Sequence, residues 1–143
     1  MMWFLYELLL FIGLLVYTPK AFLRRRLLHR GWTMKLGRYP AAVREKLGKP
    51  GALWIHAVSV GEVMAAGPLL KRLAQKYPDA PVVLSTVTPT GFEVAARVVG
   101  DRGVAIFAPF DFRITGARAM RAIQPRALLL VESELWPTLI RAA

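Results

Sequence analysis

The sequence predicts an α/β fold: a parallel β-sheet with helices over both faces, entered from a hydrophobic amino-terminal segment. Two observations carry this. Four short, almost wholly apolar runs recur at residues 53–58, 82–86, 104–107 and 127–131. Between them lie segments with helical spacing of apolar residues, set off by Gly, Pro, Thr and Asp. Strands without polar alternation are buried on both faces, which parallel sheets require and half-solvated antiparallel ones do not. With right-handed crossovers, this alternation gives a Rossmann-like, doubly wound half-domain.

The elements follow in order. Residues 1–17 are apolar apart from Glu7 and Gly13, and Thr18-Pro19-Lys20 interrupts the run. As a helix, seventeen residues reach about 26 Å, slightly short of a ~30 Å hydrocarbon core. Residues 1–23 are therefore expected to be a membrane anchor that either barely spans or lies in the interface. No positive charge precedes the run and no small-x-small site follows it, so a cleaved leader fits poorly. Residues 24–50 are expected to be a basic juxtamembrane segment. From Lys20 to Lys49 there are ten Lys/Arg residues against one acid, Glu45, within a chain of formal net charge +11. Basic residues beside an anchor point to anionic headgroups, at on the order of 1 kcal/mol each. No nucleic-acid motif accompanies them, so a lipid surface is the expected partner rather than nucleic acid. Positive charge after the apolar run places the rest on the cytoplasmic side.

Gly48-Lys49-Pro50-Gly51 marks the start of the globular part, expected over residues 51–143. A strand over 53–58 is followed by a helix over 63–77, which Pro68 is expected to bend or restart. A second strand at 82–86 leads through Thr88-Pro89-Thr90-Gly91 into a helix ending near Val99. A third strand at 104–107 ends in Pro109-Phe110-Asp111, and a helix over 113–123 closes at Gln124-Pro125. The fourth strand, 127–131, runs into Glu132-Ser133-Glu134 and a helix from Leu135. The chain stops at Ala143 without a helix-ending signal, as expected for a fragment of a longer protein.

In such a sheet the carboxyl ends of all strands share one edge, where ligands bind. That edge collects Ser59, Gly61 and Glu62, then residues 86–91, then Asp111, then Glu132 and Glu134. Glu62 suits a general base, or a carboxylate that complements a helix dipole. Ser59 reads as a hydrogen-bond donor in the turn. Thr86-Val87-Thr88-Pro89-Thr90-Gly91 suits a site for an anion or a sugar hydroxyl, or equally an ordinary N-cap followed by a permissive glycine. Glu132 and Glu134, two residues apart, repel each other unless they bind something or face solvent. Trp136 reads as a core anchor, and His56 as a packed or hydrogen-bonded histidine rather than a ligand. With no cysteine and two histidines, His29 and His56, the chain lacks zinc spacing. P-loop, G-x-G-x-x-G and G-x-S-x-G motifs are also missing.

Three motifs in order carry a resemblance: Trp54-Ile55-His56-Ala57-Val58-Ser59-Val60-Gly61-Glu62, Thr88-Pro89-Thr90-Gly91, and Glu132-Ser133-Glu134-Leu135-Trp136-Pro137. Together with Pro109-Phe110-Asp111 and the hydrophobic-then-basic amino terminus, they resemble the amino-terminal domain of the 3-deoxy-D-manno-octulosonic acid (Kdo) transferases of lipopolysaccharide assembly. The resemblance covers essentially the whole chain, and members of that family are much longer. It implies a two-domain glycosyltransferase of GT-B type, inverting and working without a metal or other cofactor at the cytoplasmic face of the inner membrane. The donor would be CMP-Kdo, bound by a carboxy-terminal domain, and the acceptor a lipid A precursor. By the same resemblance, Glu62 would be the general base toward the acceptor hydroxyl and Glu132 a second acid that stabilises the transition state. Ser59, Gly61, Thr88, Pro89, Thr90, Gly91 and Glu134 would bind substrate. The present chain alone is not expected to transfer sugar. The rival expectation is a membrane-anchored module that binds an anionic lipid or nucleotide without chemistry.

Overall fold

The computed structural model describes residues 2–23, 31–131 and 136–143. The chain divides into two compact units, Met1–Trp32 and Thr33–Ala143. In the first, α1 (Met2–Leu23) is one helix of 22 residues that continues through Thr18-Pro19-Lys20. Its large apolar side chains, Leu9, Phe11, Leu15 and Val16 among them, are exposed. Among the described residues no helix is long and apolar enough to cross a membrane. The amino-terminal segment is thus a helix, as its composition led one to expect.

The second unit is a four-stranded, wholly parallel sheet in the order β3-β2-β1-β4, formed by β1 (Ala52–His56), β2 (Val82–Thr86), β3 (Gly103–Phe107) and β4 (Pro125–Leu130). Between them run α4 (Val60–Lys76), α5 (Pro89–Val99) and α6 (Arg113–Ile123), and α7 (Pro137–Ala142) follows β4. The alternation of side chains along each strand divides the core in two. Trp54, Val83, Val104 and Ile106 point to one face, where they meet Ala119, Ile123 and Leu139 of α6 and α7. Ile55, Val82 and Leu84 point to the other, where they meet Val63, Ala66 and Leu70 of α4 and Ala95 and Val99 of α5. A constant crossover hand explains the partition. The chain steps from β1 to β2 to β3 over one face, then reverses across the other to reach the far side of β1.

That reversal puts the topological switch point between β1 and β4, the crevice where open α/β sheets bind ligands. β1 and β2 are buried along their whole length, whereas Arg126 and Ala127 of the edge strand β4 are exposed.

Pro68 lies inside α4, which runs through it without a restart, on the exposed side of the helix. The boundary drawn at residues 50/51 falls within the second unit. Met34 of α2 (Trp32–Lys35), Tyr39, and Leu47 of α3 (Ala41–Leu47) are buried in the same core cluster as Trp54. Gly37, at φ +73°, packs where a Cβ would stand 2.5 Å from the Thr115 carbonyl of α6. Apolar residues placed between the basic ones thus fold residues 33–50 onto the sheet. Lys35 shows the effect: its ammonium lies 5.4 Å above the Phe107 ring, and burial lowers its pKa.

Candidate active site

The turn from β1 to α4 is built around the carboxylate of Glu62. Ser59 is the N-cap of α4, extended at φ −112° and ψ 168°, and its Oγ accepts the Glu62 backbone N–H at 3.3 Å. The same hydroxyl donates to Glu62 Oε1 at 2.8 Å. Glu62 Oε2 accepts the Val58 backbone N–H at 2.7 Å. This Ser-x-x-Glu arrangement is a capping-box variant in which the carboxylate reaches one residue before the cap. The donor role expected of Ser59 is thus met, with Glu62 as its acceptor. Glu62 is only 9% exposed, while Ser59, Val60 and Gly61 around it are exposed. Each carboxylate oxygen has a second lone-pair direction beyond the bond described. The group is therefore held in place with acceptor capacity left on both oxygens.

The second predicted cluster has a more local job. Thr88 is the N-cap of α5, and its Oγ1 accepts the Gly91 N–H at 3.0 Å. Pro89 opens the helix, and Pro89 and Thr90 are exposed. Gly91 is required for space, not for an unusual backbone: a Cβ there would stand 2.5 Å from Thr86 Oγ1 and 2.8 Å from Thr88 Oγ1. Thr86 itself is fully buried and donates to the Val58 carbonyl at 3.0 Å. The end of β2 thereby touches the turn that carries Glu62, a link the sequence gave no signal for.

The Asp111 carboxylate is engaged within the fold. It is buried, and its two oxygens accept the backbone N–H groups of Leu139 at 2.7 Å and Thr138 at 3.1 Å, capping α7 from the β3–α6 connection. A cap of this kind joins loops far apart in sequence, so local spacing could not reveal it. Glu132 and Glu134 lie outside the described residues. The residues on either side of them are attached to His56: the Val131 N–H donates to the His56 carbonyl at 2.9 Å, and Trp136 packs edge-on against its ring at 4.9 Å between centroids. Trp136 also packs on the core, as expected.

His56 is a hydrogen-bonded core residue. Ser85 Oγ accepts the Trp54 Nε1–H at 2.8 Å and lies 2.8 Å from His56 Nδ1. His56 Nε2 is buried without a hydrogen-bond partner among the described residues. Burial pulls the His56 pKa down to about 4, against opposing pulls from the Glu62 and Asp111 charges and a hydrogen bond with Ser85.

A groove of about 400 Å³ lined by Gln75, Tyr77, Ala80, Val82 and Arg102 opens near the amino end of β2, and none of the predicted site residues lines it. Among the described residues no group of three His, Cys, Asp or Glu side chains is placed to hold a metal ion.

Comparison with known proteins identifies the family. A sequence model described as 3-deoxy-D-manno-octulosonic-acid transferase (kdotransferase) matches residues 30–143. The chain is 39% identical over 116 residues to the 3-deoxy-D-manno-octulosonic acid transferase of Haemophilus influenzae, covering 76% of this chain and 27% of that protein. It is 35% identical over 142 residues to the enzyme of that name from Chlamydophila psittaci, covering 98% and 33%. A probable mitochondrial 3-deoxy-D-manno-octulosonic acid transferase of Arabidopsis thaliana is 37% identical over 113 residues, covering 78% and 24%. The chain spans about a quarter to a third of the length of these relatives. With the motif turns set along the edge of a parallel sheet, the chain belongs to the 3-deoxy-D-manno-octulosonic acid (Kdo) transferase family.

Proposed function

We propose that the full-length protein transfers Kdo from CMP-Kdo to a hydroxyl of a lipid A precursor, with inversion and without a metal ion, as a GT-B glycosyltransferase. The observation that carries this is the Glu62 carboxylate, held by the Val58 N–H and the Ser59 hydroxyl at the carboxyl end of β1, beside the switch point. In the proposed step the acceptor hydroxyl gives its proton to Glu62 as its oxygen bonds to the anomeric carbon. The bond from that carbon to the CMP phosphate oxygen breaks, and CMP leaves with the electron pair. Glu132 serves as the second acid, which stabilises charge as the donor bond breaks. Glu134, Ser59, Gly61 and Thr88 to Gly91 line the substrate path. The exposed apolar residues of α1 rest in the membrane interface at the cytoplasmic face, and the basic residues that follow face anionic headgroups.

One observation favours a second reading, in which this region only binds an anionic lipid or nucleotide: both Glu62 oxygens already serve the turn. Glu62→Gln separates the two. Its amide keeps an acceptor oxygen for the turn but cannot take a proton. In the full-length transferase we expect turnover to fall on the order of 10²- to 10⁴-fold, with unchanged binding to vesicles containing the acceptor lipid. Turnover near wild type in the Gln variant would retire the base assignment and leave the binding module standing.

A further inference from the structure

Thr86 belongs to neither motif turn, yet it connects them. It is the last residue of β2 and is fully buried. Its backbone carbonyl accepts the Ala108 N–H at 2.9 Å, so the residue is fixed from the β3 side. Its hydroxyl donates to the Val58 carbonyl at 3.0 Å, just past the point where the Ala57 N–H makes its bond to the Ser85 carbonyl at 2.9 Å. Two peptides are therefore pinned, the one carrying the Ala57 N–H and the one carrying the Val58 carbonyl. Between them lies the peptide whose N–H is donated to Glu62 Oε2. The pinned Val58–Ser59 peptide also sets where Ser59 starts, and Ser59 supplies the hydroxyl that bonds Glu62 Oε1.

We propose that Thr86 is a positioning residue for the Glu62 carboxylate, acting through the hydrogen bond from its hydroxyl to the Val58 carbonyl. The inference rests on the reading of Glu62 as the base. Gly91 supplies the second half of the device. Because a Cβ at Gly91 would stand 2.5 Å from Thr86 Oγ1, the glycine at the third position of α5 leaves the space that this hydroxyl occupies. The glycine of the second motif thus serves the carboxylate of the first, by way of a residue that neither contains.

The test compares side chains of similar size that differ as donors, in the full-length transferase with CMP-Kdo and acceptor lipid. Thr86→Val keeps the branched shape and loses the hydroxyl, so kcat should fall by about 10- to 100-fold, as for a misaligned catalytic group. KM should move by less than about twofold, because substrate contacts are untouched. Thr86→Ser keeps the donor and should stay within about threefold of wild type, and Thr86→Cys, with a weak donor, should fall between. A flat kcat across the series overturns the proposal, and so does a Ser variant as impaired as Val, since the methyl group would then be what matters. If the Val variant does not fold, the order of Ser above Cys decides the question, and equal kcat in those two overturns it. Glu62→Gln run in parallel keeps the two ideas apart. Retained turnover in that variant removes the base reading, whereas an inactive Glu62→Gln beside an unchanged Thr86→Val removes only the positioning role.

Discussion

The proposed role of Glu62 as base adds a second duty to a carboxylate that already closes its turn, and the hydrogen bonds are compatible with both. The Val58 N–H and the Ser59 hydroxyl fix the orientation of the group, which a base needs as much as its charge. His56 shows the opposite balance, a titratable group kept neutral by burial. Its pKa is about 4 in the folded chain against 6.5 in the open one, so the unfolded state binds the extra proton first as pH falls. Stability is full above pH 6.5 and is lost as pH drops toward 4, by a total of order 3 kcal/mol. Thermal unfolding followed across that window should show the loss. His56→Asn should be less stable at neutral pH and should flatten the pH dependence. An equally steep fall in the Asn variant would assign the effect to other groups.

At the scale of elements, the start of α5 was legible because a cap is local chemistry: Thr88 is followed by Pro89 at the first helical position. The Ser59 cap of α4 was not, and that helix begins at Val60, three residues before its expected start. Strand β2 and helix α6 fall on their expected residues, while β1 ends at His56, two residues earlier than expected. The difference has a physical cause: Val58 passes its carbonyl to a side chain, the Thr86 hydroxyl. Gly91 is the element-scale counterpart. Its role is to leave room, so Gly91→Ala should crowd Thr86 and Thr88 at the start of α5, at a cost of about 1–3 kcal/mol. Chemical denaturation of the variant would check this, and unchanged stability would mean that the helix start yields freely.

For the whole molecule, the two compact units imply separable behaviour. α1 carries exposed apolar side chains, while the core of the second unit is built from Met34, Leu47 and the two faces of the sheet. Deleting residues 2–23 should therefore reduce binding to anionic vesicles by an order of magnitude or more, since burying each large apolar side chain contributes about 1.5–3 kcal/mol. The Thr33–Ala143 unit should keep its circular dichroism. Co-sedimentation with vesicles reads the first outcome, and undiminished binding would place the membrane contact elsewhere.

The sequence by itself determined the α/β class, the succession of strands and helices, and the family to which the motifs belong. Those features follow from periodicity, punctuation and short-range hydrogen bonding, all of which act between neighbours in the chain. Only the tertiary structure decided the strand order, and with it the switch point between β1 and β4. It also decided that residues 33–50 belong with the sheet, that Asp111 caps α7, and that Thr86 reaches the turn of Glu62. Each of these depends on groups many residues apart, brought together by burying both faces of one sheet. No local pattern can specify such a meeting until the core has formed around it.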